Sequence, residues 1–264
     1  MVDTGQVSSS AAEFYDEFFV PALFGEWAPR LVAAAELETG MRVVDVACGT
    51  GVLSLEAWKA VSPGGAVVGI DLNPGMLSVA RQKQSDVQWH EGAAEALPFD
   101  DDAFDAVLSQ FGLMFFADKR LALREMWRVL RPRGRLVIAV WDSLDQAPGY
   151  AGVTALLARL FGDAIADLLR SPYSMGDVEG LRSLLAEMGA DRAKIERLPG
   201  EARFPSIRAW MECDVRGWTL ADKLDDQQFE RLAAEAESEL QRFVNAEGMV
   251  RFAHPALVAS ATKP

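Results

Sequence analysis

The sequence predicts an α/β fold, a mostly parallel sheet covered by helices on both faces. Three observations carry that reading. Val43-Val44-Asp45-Val46-Ala47 is an apolar, largely β-branched run without polar alternation, the pattern of a strand buried on both sides. It breaks into Cys48-Gly49-Thr50-Gly51, after which Val52, Leu53, Leu55 and Trp58 fall at helical spacing. The alternation of strand and helix then repeats as far as a third strand ending near His90, a βαβαβ series in which right-handed crossovers are expected.

Taken in order, residues 11–37 place Phe14, Phe18, Phe19, Leu23, Phe24, Trp27 and Leu31 at mostly helical spacing, with Pro21 and Pro29 dividing a helical N-terminal arm that spans 1–37. Thr39-Gly40 ends the arm before the first strand. The helix after the glycine turn stops at Ser62-Pro63-Gly64-Gly65, and a second strand, Ala66–Ile70, delivers Asp71. Asn73-Pro74 starts a helix, with Asn as cap and Pro in the first turn, running to Arg81. A third strand covers about 86–90, and residues 91–102 are too irregular for an element. The fourth strand is Ala103–Ser109, followed by a helix capped by Asp118, a turn at Arg131-Pro132-Arg133-Gly134 and a fifth strand, Arg135–Trp141.

Beyond it lie helical patches in 145–177, a helix from Asp177 to Gly189, a strand near 193–204, an acidic helical region from 206 to about 247 and a last strand from Met249 to about Ala261. Without repeats or a linker, the chain reads as a single domain, 1–264, with a core at 40–142 and two insertions, 145–177 and 206–247, that cap it.

A chain of 264 residues, half of them hydrophobic, buries a substantial core. The net charge of −13 argues against a phosphate backbone or an anionic membrane as partner. Met1–Ser10 has no basic, apolar leader pattern and no apolar run reaches the roughly 20 residues of a membrane span, so a cytoplasmic protein is expected. Two cysteines, Cys48 and Cys213, offer neither a disulfide framework nor metal-ligand spacing. The oligomeric state is left open, a homodimer included.

The glycine turn, at the carboxyl end of a strand and the start of a helix, aims several N–H groups at one region. Gly49-Thr50-Gly51-Val52-Leu53-Ser54 approaches a dinucleotide fingerprint but has Ser54 where the third glycine belongs. Asp71, about twenty residues on, suits ribose hydroxyls of a dinucleotide or of S-adenosylmethionine alike. The acid inside the first strand, Asp45, and the absent third glycine favour the second.

Val-Val-Asp-Val-Ala-Cys-Gly-Thr-Gly (43–51), Gly69-Ile-Asp71-Leu-Asn-Pro-Gly-Met76-Leu and Glu91-Gly-Ala-Ala-Glu95-Ala-Leu-Pro98-Phe, in this order, resemble a class I S-adenosylmethionine-dependent methyltransferase. Within that class the chain is most similar to the ubiquinone/menaquinone-type (methyltransferase type 11) small-molecule enzymes, from about Gly40 to Asp142. The resemblance implies a Rossmann-like sheet of seven strands, the last antiparallel. It implies that Asp45 belongs to the S-adenosylmethionine site, that the backbone around Ala47, Cys48, Gly49, Thr50 and Gly51 holds the amino-acid end and Asp71 the ribose, with Leu72 and Met76 nearby. Ala93, Ala94 and Glu95 would border adenine, and Gln110 and Phe111 the sulfur. Many relatives carry a polar residue at the position of Ala93, whose side chain cannot accept from the adenine amino group.

The expected reaction is in-line methyl transfer to carbon, oxygen or nitrogen of a small, apolar or aromatic molecule, in which the protein mainly positions the reactants and excludes water. The arm would either pack on the sheet as an ordinary helix or, as the resemblance favours, act as a lid with Tyr15 and Phe19 facing the site, and Met114, Tyr150 and Trp210 would join them around the substrate. The cap is rich in such side chains, Leu156, Phe161, Tyr173, Met175, Met211, Trp218 and Phe243 among them. Arg170, Arg203 and Arg208 would instead suit an anionic substrate. No catalytic base stands out: His254, Tyr15 and Asp214 are weak candidates, and His90 reads as a strand-end residue. The alternatives are an S-adenosylmethionine-binding protein without turnover and a nicotinamide-dependent oxidoreductase.

Overall fold

A computed structural model of the chain describes residues 9–83, 86–216, 220 and 223–264. Residues 1–8, most of the segment read for a leader, lie outside them, as does Trp218 of the cap.

Among the described residues a seven-stranded sheet organises the molecule. Its strands are β1 (Arg42–Val46), β2 (Ala66–Asp71), β3 (Gln88–Glu91), β4 (Phe104–Gln110), β5 (Leu130–Trp141), β6 (Lys194–Leu198) and β9 (Ala256–Thr262). They lie in the order β3-β2-β1-β4-β5-β9-β6. β1 pairs parallel with β2 and β4, β2 with β3, and β4 with β5, whereas β9 runs antiparallel to both β5 and β6. The strand order reverses between β1 and β4, which opens a crevice at their carboxyl ends. Val43, Val44 and Val46 are fully buried, as an unbroken apolar strand between two helix layers must be.

The helices are α1 (Ser9–Phe14), α2 (Ala28–Ala34), α3 (Val52–Val61), α4 (Pro74–Lys83), α5 (Lys119–Val129), α6 (Pro148–Phe161), α7 (Asp163–Arg170), α8 (Val178–Ala186), α9 (Ile207–Arg216) and α10 (Asp226–Glu239). Asp118 caps α5 through the Leu121 N–H at 3.0 Å, and Asp225 closes a capping box on α10 with Gln228. None of the helices among the described residues is long and apolar enough to cross a membrane.

Local structure departs from the pattern reading in four places. The arm from Tyr15 to Phe24 is a π-helix, its wide turns accommodating Pro21, which has no N–H to give. The strand expected near 193–204 divides at Pro199-Gly200 into β6 and β7 (Glu201–Phe204). The one expected from Met249 divides at His254-Pro255 into β8 (Val250–Ala253) and β9. β7 and β8 form a small antiparallel sheet of their own, and the two breaks meet where the His254 N–H donates to the Gly200 carbonyl at 2.8 Å. A Cβ on Gly200 would lie 2.3 Å from Trp27, so only glycine fits that corner. β5 starts at Leu130 rather than Arg135, because Arg131–Gly134 bulge out between the Phe104–Leu130 and Ala106–Arg135 pairings.

The segments 145–177 and 206–247 contribute α6, α7, α9 and α10, which pack on one another beside the sheet. Arg159 of α6 pairs with Glu235 at 3.1 Å and with Glu239, both on α10.

Candidate active site

At the crevice lies an open cleft whose empty space, open solvent included, is about 1050 Å³. Ala47 and Gly49 line it from the turn after β1, Asp71, Leu72, Asn73 and Met76 from the end of β2, and Gly92 to Glu95 from the loop after β3. Gln110, Phe111, Gly112, Phe115, Phe116 and Ala117 come from the end of β4, and Tyr15 and Phe24 from the arm.

The glycine turn and Asp71 meet directly. Asp71 Oδ2 accepts from the Gly49 N–H at 2.8 Å and Oδ1 from the Asn73 N–H at 2.8 Å. Burial pushes the Asp71 carboxyl above its ordinary range, and these backbone donors oppose the shift. Since a carboxylate offers about four lone-pair sites, capacity for a diol remains.

Asp45, beneath the turn, is 1 % exposed. Its Oδ2 accepts from Ser54 Oγ at 2.6 Å, while Oδ1 is buried without a hydrogen-bond partner among the described residues. Burial pushes this carboxyl up to about 7. Gly49 sits at φ +54°, and a Cβ built there meets no protein atom within 4 Å, so it would project into open space. Ala47 and Phe111, at φ +60° and +57°, hold the same left-handed conformation, which a non-glycine residue adopts at a cost. A backbone cradle, an acid at its far edge and an unmatched acid below it fit a ligand with a ribose at one end and an ammonium at the other.

Three turn residues named from the sequence do not line the cleft. Cys48 and Thr50 are buried, and a Cβ on Gly51, at φ +86°, would lie 2.5 Å from Trp89. Thr50 instead ties down the arm: its Oγ1 donates to Asp16 Oδ1 at 2.6 Å, and Lys83 of α4 pairs with Asp16 and donates to the Thr50 carbonyl at 3.0 Å. Ala93, Ala94, Glu95, Leu72 and Met76 sit together on the β2–β3 side, with Glu95 accepting from the Asp118 N–H at 3.2 Å.

Residues named for the substrate separate into two groups. Tyr15 lines the cleft, stacked on Phe24 with ring centroids 5.2 Å apart. Burial first, then the charges of Asp71 and Asp16, push its phenol well above the usual range, away from service as a base. Phe19 and Met114 are buried in the core and contribute nothing to the cleft wall, where Phe24, Phe115 and Phe116 stand instead. Tyr150 on α6 and Trp210 on α9 pack edge to face at 5.6 Å, with the Tyr150 hydroxyl donating to buried Asp214 at 3.3 Å. That placement takes both out of the cleft: Tyr150 and Trp210 are buried against each other and against Phe252.

His254, 2 % exposed, stacks on Trp141 at 3.9 Å and pairs with the Tyr173 hydroxyl at 2.9 Å. Burial lowers it to about 3, so it is neutral, and Trp141 and Phe111, themselves stacked at 3.7 Å, stand between it and the cleft. Arg170, Arg203 and Arg208 pair with Asp167, Glu201 and Glu230 at the surface. His90 packs edge-on against Phe99. The aromatic wall after β4 carried a legible signal, since Phe115-Phe116 follow a strand end, and Phe24 lay in the arm's aromatic run.

Comparison with known proteins agrees with this geometry. Residues 44–138 match the model of a family described as a methyltransferase domain. A demethylmenaquinone methyltransferase of Staphylococcus carnosus is 31 % identical over 66 % of this chain and 78 % of its own length. A ubiquinone/menaquinone biosynthesis C-methyltransferase of Marinomonas sp. is 31 % identical over 74 % and 85 %. Among solved structures the YcgJ protein of Bacillus subtilis superimposes with a TM-score of 0.62 over 90 % of this chain and 98 % of its own, at 20 % identity, a likeness of fold. The chain belongs to the class I S-adenosylmethionine-dependent methyltransferases, among the ubiquinone/menaquinone-type enzymes that act on small molecules.

Proposed function

We propose that this methyltransferase transfers its methyl group to a ring carbon of a neutral, hydroxylated aromatic molecule of the quinol type. The observation that carries the reading is the composition of the cleft wall. Beyond the cradle, Tyr15, Phe24, Phe111, Phe115 and Phe116 form an aromatic flank, and among the lining residues Asp71 and Glu95 are the charged ones. With acids and without a basic side chain, that wall repels a phosphate or carboxylate and suits a flat apolar ring. The demethylmenaquinone and ubiquinone/menaquinone names of the relatives point the same way.

The residues divide the work by position. Asp71 and the Gly49 turn would hold ribose and amino-acid ends of the donor, and Ala93 and Ala94 would border adenine through backbone and small side chains. Ala93 brings no side-chain acceptor, so the adenine amino group is left to backbone and to Glu95. When bound, the donor supplies an electrophilic methyl on a sulfonium; displacement returns the C–S electron pair to sulfur, leaves a neutral thioether, and the methylated ring sheds one proton. Tyr15, Phe24 and Phe111 exclude water from that encounter and hold the ring in line. Tyr15 and His254 lack the protonation behaviour or the access a base needs, so neither takes the ring proton. Cys48 and Cys213 are both free thiols, the state kept in a reducing cell interior, and we read the enzyme as cytoplasmic.

The test is S-adenosylhomocysteine release across a panel of hydroquinones, phenols, amines and phosphorylated amines, with product structure by NMR. Turnover is expected with hydroquinones, giving a C-methyl product. Turnover confined to amines or phosphorylated amines, or an O-methyl product, contradicts the reading.

A further inference from the structure

Gln110, in the cleft wall, carries a buried hydrogen-bond acceptor without a donor among the described residues. Gln110 ends β4, and its Nε2–H donates to the Phe24 carbonyl at 3.3 Å. A carbonyl only accepts, so this contact fixes which way the amide lies. Oε1 is thereby turned elsewhere, buried and without a hydrogen-bond partner among the described residues. Buried oxygens are seldom left this way, so the side chain is set for a ligand that brings an O–H or N–H.

Two donors are available in a methyl-transfer complex, the ammonium of the cofactor's amino-acid end and a polar hydrogen of the methyl acceptor. Two observations assign Oε1 to the acceptor. Beneath the turn, Asp45 Oδ1 is also unmatched, and an ammonium bonds an ionisable carboxyl in preference to a neutral amide, because charge-assisted bonds are roughly twice as strong. The surroundings of Gln110 are rings: Phe24 holds its amide, Phe111 follows it in sequence, those two rings lie 5.6 Å apart, and Tyr15 stacks on Phe24.

We infer that Gln110 Oε1 accepts a hydrogen bond from a ring hydroxyl of the methyl acceptor and so orients a hydroxylated arene among Tyr15, Phe24 and Phe111. This rests on the hydroxyarene reading above and names the residue that selects for it. A hydroxyl leaning on the amide oxygen feeds electron density into its ring, which favours attack by ring carbon. The same amide is tied to the last residue of the arm's π-helix, so acceptor orientation and arm position are linked through one side chain.

Gln110→Met keeps the length and removes both polar atoms. Expected are S-adenosylhomocysteine affinity within about threefold of wild type by calorimetry, and a KM for a hydroquinone raised about tenfold or more. Replacing the hydroxyl of the acceptor by methoxy should cost wild type a similar factor and cost the variant little. Gln110→Glu retains an acceptor oxygen and should recover part of the KM, and Gln110→Leu, which also removes both polar atoms, carries the test if the Met variant does not fold. An unchanged KM overturns the assignment, and a tenfold loss of S-adenosylhomocysteine affinity in any variant overturns it by placing the oxygen on the cofactor. Wild-type enzyme that methylates amines but no hydroxyarene overturns the substrate reading itself, a result seen before any variant is made.

Discussion

The Asp71 carboxylate accepts a 2.8 Å hydrogen bond from the Gly49 N–H, joining the end of β2 to the turn after β1. One acid therefore shapes the cradle and faces the cleft. Asp71→Ala should lower S-adenosylhomocysteine affinity about 100-fold, through a lost charge-assisted contact worth roughly 1.5–3 kcal/mol and a loosened turn. It should also cost about 1–3 kcal/mol of stability, because the Gly49 and Asn73 N–H groups lose their acceptor. Calorimetry and urea unfolding read the two effects, and undiminished affinity would remove Asp71 from the donor site.

Gly49 and Gly51 separate binding from folding. A Cβ on Gly49 enters open space at φ +54°, whereas one on Gly51 meets Trp89 at 2.5 Å and φ +86°. Gly49→Ala should lose about 1–2 kcal/mol of stability for the left-handed conformation, yet bind S-adenosylhomocysteine at least about tenfold more weakly. Gly51→Ala should lose roughly 2–5 kcal/mol, since overpacking adds to that conformational cost. Equal unfolding midpoints for the two would contradict the placement of the turn.

The arm is held over the cleft by a small polar latch, Thr50 and Lys83 on Asp16. Asp16→Asn and Thr50→Val should each speed S-adenosylhomocysteine release about three- to tenfold, matching about 1 kcal/mol for a hydrogen bond. Their double variant should be less than additive, because both act on one contact. Stopped-flow fluorescence measures the rates, and release rates equal to wild type would mean that the arm does not gate exchange.

Asp45 ties stability to pH. Its carboxyl, raised from 3.8 to about 7 by burial, takes up a proton on folding, so its contribution falls as pH rises between about 4 and about 7 and stays lost above. Asp45→Asn removes the ionisable group. Its stability relative to wild type should rise from pH 4.5 to pH 7.5 by a few kcal/mol, at about 1.4 kcal/mol per pKa unit. Urea unfolding at the two pH values checks this, and a difference that does not change with pH would show that Asp45 does not titrate in this window.

The centre of this molecule was legible because its signals are local. Val43–Val46 can only be a strand covered on both sides, Gly49 and Gly51 must turn, and Asn73-Pro74 must start a helix. Counting from those points reached Asp71, Ala93, Ala94 and Gln110 in the cleft wall. The substrate side depended on packing between distant elements, which spacing does not encode. Tyr150 and Trp210 have the composition of a pocket wall, yet α6 and α9 close on each other and bury both rings. Phe19 and Phe24 share one aromatic run, and the wide turns of the π-helix decide that Phe24 lines the cleft. The divided strands at Gly200 and Pro255 escaped notice because each half retains strand-like residues, and only the fit of Gly200 against Trp27 marks the corner.

The most direct measurement is a crystal structure of the enzyme with S-adenosylhomocysteine. Ribose hydroxyls are expected on Asp71, the amino-acid end over Gly49, adenine beside Ala93 and Ala94, and the sulfur facing the rings of Tyr15, Phe24 and Phe111. Adenosyl density away from Asp71, or a thioether sulfur turned from that aromatic flank, would contradict this placement.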